Sequence, residues 1–96
     1  MSASSPATTR ITLSALEGTP LQHEMVKRMV LATAEALAER QGVKVLSLEA
    51  NDSSVTATLA ADHIVAIGFA AELRRLTTNW YRHKFGVETL WGEPRT

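Results

Sequence analysis

The chain has 96 residues, the length of a single domain, and 45% of them are hydrophobic, which is ordinary for a globular protein. Ten basic and ten acidic side chains leave a formal net charge of zero, whereas proteins that bind nucleic-acid duplexes are usually strongly basic. The sequence contains no cysteine, which excludes disulfides, zinc–thiolate sites, iron–sulfur clusters and thiol nucleophiles. The sequence also has no glycine-rich phosphate-binding loop, and we expect no cofactor.

The two ends of the sequence differ in composition from its middle. Residues 1–9 are small and polar, so we predict a disordered N-terminal tail, a single domain over residues 10–92 and a frayed end over residues 93–96. The start has no apolar segment typical of a secretory signal. The longest uncharged apolar run, residues 64–71, is far too short to cross a bilayer. These features predict a cytoplasmic protein with no membrane partner.

The first predicted elements are a strand and a helix. Residues 10–16 alternate between apolar and polar side chains, the pattern of a half-buried strand. Thr19 offers a helix N-cap, Pro20 suits the first helical position, and Gln22 completes a capping box. We therefore predict that a helix begins here and ends at Gly42. The apolar positions that share one side of this helix are Met25, Val26, Met29, Val30, Ala36 and Leu37.

Two strands joined by a turn follow the first helix. Residues 43–50 are rich in Val and Leu but lose the alternating phase. Either both faces of this strand are covered, or a β-bulge shifts its register. Residues 51–54 have the composition of a turn, and residues 55–61 alternate cleanly. The pattern therefore predicts a hairpin.

A second helix is predicted over residues 62–85, with Asp62 as its N-cap and Gly86 just after its end. Residues 87–92 then form a last short strand. The helix carries one apolar stripe at helical spacing, which we assign to the core. The stripe consists of Val65, Phe69, Leu73, Leu76 and Trp80.

The order strand, helix, strand, strand, helix, strand predicts the fold. It is typical of a ferredoxin-like α+β domain, a two-layer α/β sandwich. Right-handed crossovers give a four-stranded antiparallel sheet of order 4-1-3-2 with both helices on one face. The other face of the sheet is then open, polar and nearly uncharged. Its side chains include Thr12, Ser14, Thr56 and Thr58.

The start of the second helix carries more apolar surface than one core stripe needs. Ile64, Ile67 and Ala71 group on a side different from the one that Val65 and Phe69 occupy. A two-layer domain requires only one apolar stripe per helix. Either the first helix covers this side of the second helix, or this side is a self-association surface. We therefore predict a homodimer as one outcome.

The end of the same helix is basic, with no acidic residue between Glu72 and Glu88. The basic side chains indicate a surface that binds nucleic acid or a phosphate ligand. The alternative is a solvated face whose positive charges interact favourably with the C-terminal end of the helix dipole. The RNA-recognition module shares this order of elements, but it stacks bases on sheet aromatics, and the first three strands have none. The candidate anion-contacting residues are Arg74, Arg75, Arg82 and Lys84.

Three histidines are the remaining candidates for chemistry. His23, His63 and His83 lie far apart in sequence with no His-x-x-x-His pair, so we assign no metal site and no catalytic residue. One hypothesis is a small enzyme or small-molecule binder of the dimeric ferredoxin-like type, with a pocket near His23 or His63. We favour instead a small non-catalytic interaction module that self-associates, with anion binding as a further alternative.

Overall fold

The computed structural model describes residues 7–16, 18–86 and 90–92. Predictions made for residues 1–6, 87–89 and 93–96 lie outside the described residues. The elements are β1 (Thr9–Ser14), a 3₁₀ turn (Pro20–Gln22), α1 (Glu24–Gln41), β2 (Lys44–Ala50), β3 (Ser54–Ala60) and α2 (His63–Phe85).

The predicted four-stranded ferredoxin-like sheet of order 4-1-3-2 is wrong. The described sheet has three antiparallel strands in the order β1-β3-β2. Residues 90–92 join β1 through one isolated bridge, between Ala15 and Trp91. The Trp91 side chain is buried, and its indole N–H donates to the Thr77 hydroxyl of α2 at 2.8 Å. A side chain packed under α2 therefore helps to fix this segment, where the prediction expected a strand ladder.

The central strand β3 sets the two faces of the sheet. On its inner face Val55 lies opposite Leu13 of β1, and both side chains are buried. On the outer face Thr12 lies opposite Thr56, and their hydroxyl oxygens are 3.2 Å apart. The register of β2 shifts between Val45 and Ser47. Of the two alternatives for this strand, the structure has the bulge.

The first helix begins later than its sequence signals predict. Pro20 to Gln22 form only a 3₁₀ turn, which is held to the β2–β3 turn because the Leu21 N–H donates to the Asp52 carbonyl at 2.9 Å. His23 is extended and caps α1 instead, with its Nδ1 accepting the Met25 N–H at 3.2 Å. The prediction of Thr19 as the helix cap is wrong, because this tertiary contact holds the preceding turn.

The core lies between the sheet and the two helices. α1 contacts β2, α2 contacts β1, and the helices contact each other. Three predicted core positions are wrong, since each helix is rotated relative to its most hydrophobic arc: Met25, Ala36 and Val65 are exposed. The buried helix residues are Val26, Val30, Ala34, Leu37 and Ala38 of α1 and Ala66, Phe69, Leu73 and Thr77 of α2.

Candidate functional site

The start of α2 exposes an apolar surface. The helix begins where the Asp62 carboxylate accepts the Val65 N–H at 2.9 Å, and its core side starts at Ala66. On the opposite side Ile64 is 81% exposed and Ile67 is 50% exposed. Two small exposed residues complete this surface, which we call the α2 apolar face. It consists of Ile64, Ile67, Gly68 and Ala71.

The α2 apolar face contains all three residues that the sequence marked for self-association. Helical geometry brings them together, because positions 64, 67 and 71 follow a spacing of three and four residues. Gly68 lies beside these residues, where the sequence predicts that a residue without a side chain allows close approach of another helix. A Cβ built at Gly68 meets no atom within 4 Å, so the described chain does not pack against this position. The α2 apolar face is therefore accessible to another molecule.

The four predicted basic residues of α2 have different surroundings. The Arg74 guanidinium donates to the Gly92 carbonyl. Arg75 donates twice to the Glu72 carboxylate, at 2.9 and 2.6 Å. Arg82 and Lys84 are exposed in the last turn of α2. The structure thus uses two of the four cations for contacts within the chain.

Glu72 also connects the two helices. Its carboxylate lies 3.9 Å from the Arg40 guanidinium of α1. The hydrogen bond from Arg75 and the charges of Arg75 and Arg40 hold the pKa of Glu72 below its usual value of 4.5. The same hydrogen bond raises the pKa of Arg75. This pair stabilises the helical surface beside the α2 apolar face.

The three histidines lie at separate places. His23 caps α1, His63 is exposed at the start of α2, and the ring of His83 contacts the Asn79 carbonyl at 2.8 Å through Nδ1. Within residues 7–16, 18–86 and 90–92, no group of three His, Cys, Asp or Glu side chains is arranged to hold a metal ion. The structure does not bring the histidines together.

His23 does line a cleft, as one hypothesis expected. The cleft has a volume of about 400 Å³ and lies where the end of α2 meets the start of α1. The Phe85 ring lies 5.9 Å from the His23 ring and 4.9 Å from the Tyr81 ring, measured between centroids. We call it the His23 cleft. Its lining residues are Thr19, Pro20, Gln22, His23, Val26, Tyr81 and Phe85.

The chemistry of the His23 cleft is that of a binding surface. None of its lining residues carries a carboxylate or an amine, and the Thr19 hydroxyl donates to the Gln22 side chain at 3.1 Å. The residues therefore offer aromatic surface and a few hydrogen-bonding groups. The sequence analysis missed Tyr81 and Phe85 as lining residues, because the cleft lies between helix ends that are far apart in the chain.

A second, more polar depression of about 300 Å³ lies at the β2–β3 turn. Asn51 organises it by accepting the backbone N–H groups of Ser53 and Ser54, both at 2.8 Å. These hydrogen bonds build the turn itself, so the depression is part of the local structure of the hairpin.

Comparison with known proteins matches this chain to no protein family and to no curated relative. In the described part of the chain, neither helix is apolar over enough of its length to span a membrane. The candidate site is therefore assigned from geometry and chemistry alone.

Proposed function

We propose that this chain is a small, non-catalytic interaction module of the cytoplasm, and that it associates with a second copy of itself through the α2 apolar face. The observation that carries the proposal is the 81% exposure of Ile64 next to the half-exposed Ile67. Isolated exposed apolar residues are common, but adjacent ones on a single face mark contact surfaces. Burial against an apolar partner stabilises each isoleucine by removing it from water.

A second copy is the partner that the charges favour. The chain has no net charge, so two copies approach without electrostatic repulsion, and proteins near zero net charge associate readily. The α2 apolar face itself has no charged residue. An apolar, uncharged surface is complementary to itself, whereas it offers nothing to an acidic or basic partner.

The alternative route to a dimer, pairing of sheet edges, is less favourable. β2 is an edge strand, and it carries a bulge next to the exposed Leu46. Lys44 and Glu49 add charges along the same strand. Bulges and charged side chains are the features that protect edge strands from pairing. These features disfavour pairing through β2.

The test is sedimentation of the unmodified chain over a wide range of concentrations. A contact built on one helix face belongs to the small class of interfaces, so we expect a reversible dimer with a Kd in the micromolar range. Ile67→Glu should weaken this dimer by at least about tenfold, equivalent to about 1.4 kcal/mol, because it places a charge in an apolar contact.

Leu46→Glu is the matched control. Leu46 and Ile67 are each 50% exposed, but Leu46 lies on β2. We expect Leu46→Glu to leave the dimer intact. A chain that remains monomeric at about 1 mM, or a dimer that only Leu46→Glu dissociates, contradicts the proposal.

A second candidate function is binding of a small aromatic molecule in the His23 cleft. The observation that favours it is the aromatic lining of the cleft, in which the Phe85 ring contacts the rings of His23 and Tyr81. His23 Nδ1 accepts the Met25 N–H, so a neutral His23 ring carries its proton on Nε2. Chemical-shift mapping with small aromatic carboxylates tests it. Shifts centred on Tyr81 and Phe85 that His23→Ala reduces and His83→Ala does not support this function.

A further inference from the structure

We infer a specific arrangement for the self-association just proposed, and it rests on that proposal. The geometry points to an antiparallel pair of α2 helices related by a two-fold axis that passes between Ile67 and Gly68. Symmetric homodimers use the same surface on both copies. The order of large and small residues on the α2 apolar face distinguishes a parallel pair of helices from an antiparallel pair.

The four positions of the face are symmetric about their midpoint. Positions 64 and 71 lie equally far from it, and so do positions 67 and 68. An antiparallel pair centred there places Ile64 of each copy level with Ala71 of the other. Each end of the contact then combines a large side chain with a small one, which fills space evenly.

Gly68 lies beside the axis in this arrangement. It is exposed and has no Cβ, and the space beyond it is open. Two helices approach most closely where their contacting residues are small, since interaxial distance depends on those side chains. Gly68 therefore provides the point of closest approach. Ile67 of each copy packs beside it across the axis.

A parallel pair fits less well. It places Ile64 against Ile64 and Ala71 against Ala71, so that one end of the contact is crowded and the other leaves a gap. Voids and overpacking both reduce the stability of an interface. The same side chains thus give even packing only when the helices run in opposite directions.

Charge favours the same orientation. The helical side of the α2 apolar face continues to Arg75 and Arg82, which lie 11 and 18 residues after Ile64. Arg75 is paired with Glu72 within each copy, so Arg82 carries the charge that distinguishes the two orientations. In a parallel pair Arg82 of one copy lies level with Arg82 of the other, and like charges repel. In the antiparallel pair Arg82 lies beyond the start of the other helix.

Engineered cysteines test the orientation directly, because the chain has none of its own. A disulfide requires Cα atoms about 4.4–6.8 Å apart. In the antiparallel pair Gly68→Cys crosslinks to itself, and a mixture of Ile64→Cys with Ala71→Cys forms a mixed disulfide. Ile64→Cys and Ala71→Cys do not crosslink when each variant is present alone. In the antiparallel pair the two copies of position 64, and likewise the two copies of position 71, are offset by about 10 Å along the helix.

The outcomes separate this inference from the proposed function. Efficient self-crosslinking of Ile64→Cys and Ala71→Cys overturns the antiparallel orientation, although the dimer and its surface remain. Crosslinking that is strongest for Leu46→Cys, the control on β2, overturns the surface as well. Sedimentation of the unmodified chain as a monomer overturns both. A mixed disulfide between positions 64 and 71, together with a self-linked position 68, supports the antiparallel pair.

Discussion

In the first half of α2 the exposed residues include Ile64, Ile67, Gly68 and Ala71, whereas in the second half they include Arg75, Arg82, His83 and Lys84 together with Phe85. The buried side differs less, since Phe69 of the first half is buried and Leu76 and Trp80 of the second half pack against the same core. The second half holds its core contacts partly through a polar pair, Thr77 with Trp91. The comparison shows that the core does not require the exposed isoleucines. The proposed self-association gives these isoleucines a role outside the core.

The largest effect should come from the buried side of the first half. Phe69 is fully buried, so Phe69→Ala should lower the free energy of unfolding by about 3–5 kcal/mol. Ile67→Ala is the matched exposed change and should alter it by no more than about 0.5 kcal/mol. Denaturant unfolding at concentrations below the dimer range measures both. A large loss for Ile67→Ala shows that this side chain belongs to the core of the monomer.

The next effect should come from the polar pair in the second half. Thr77→Val removes the acceptor for the Trp91 indole N–H and should cost about 1–3 kcal/mol. Thr77→Ser keeps the hydroxyl and should retain most of the stability. Thermal unfolding followed by tryptophan fluorescence compares the two. Equal losses for valine and serine indicate that packing of the threonine methyl group matters here, and the hydrogen bond does not.

A smaller effect is expected from the exposed cations of the second half. Removing the charges of Arg82 and Lys84 together by substitution with glutamine should change the Kd of the dimer by less than about twofold, because exposed charges contribute little to such contacts. Sedimentation measures this. Titration with short DNA and RNA at low salt is the complementary experiment. Binding that falls with added salt and is lost in the double variant assigns the function to this half instead.

The smallest effect on stability is expected from the ion pair of Glu72 and Arg75, which joins the two halves of α2. The pKa of Glu72 is lowered in the folded state, so the Glu72 carboxylate stabilises the fold at pH values above about 4.5. This contribution is lost as the pH falls through the folded-state pKa. We expect the difference in unfolding temperature between the unmodified chain and Glu72→Gln to shrink on acidification.

The matched control for that experiment is Glu35→Gln, which changes an exposed glutamate of α1. Its difference from the unmodified chain should vary less with pH. Thermal unfolding from neutral pH down to about pH 3 covers the required range. A difference for Glu72→Gln that stays constant across it contradicts a role for the ionised carboxylate.

Local patterns in the sequence predicted the ends of helices well where they depend on residues close in sequence. Asp62 caps α2 as predicted, because its carboxylate needs only the Val65 N–H three residues on. Gly42 and Gly86 end the two helices in left-handed conformations with φ near +70°, where glycine is favoured. The grouping of Ile64, Ile67 and Ala71 was also predictable, since helical spacing alone places them on one side of α2.

The tertiary structure decided the features that depend on distant partners. Asp52 anchors the Leu21 N–H, so α1 begins at Glu24, later than Thr19 and Pro20 predicted. Trp91 reaches under α2 to Thr77, a contact that strand periodicity cannot show. The sequence by itself determined which segments are helical or extended and where apolar surface is in excess. Packing determined how far each helix is rotated and which apolar residues remain in water, because burial depends on neighbours that local spacing does not specify.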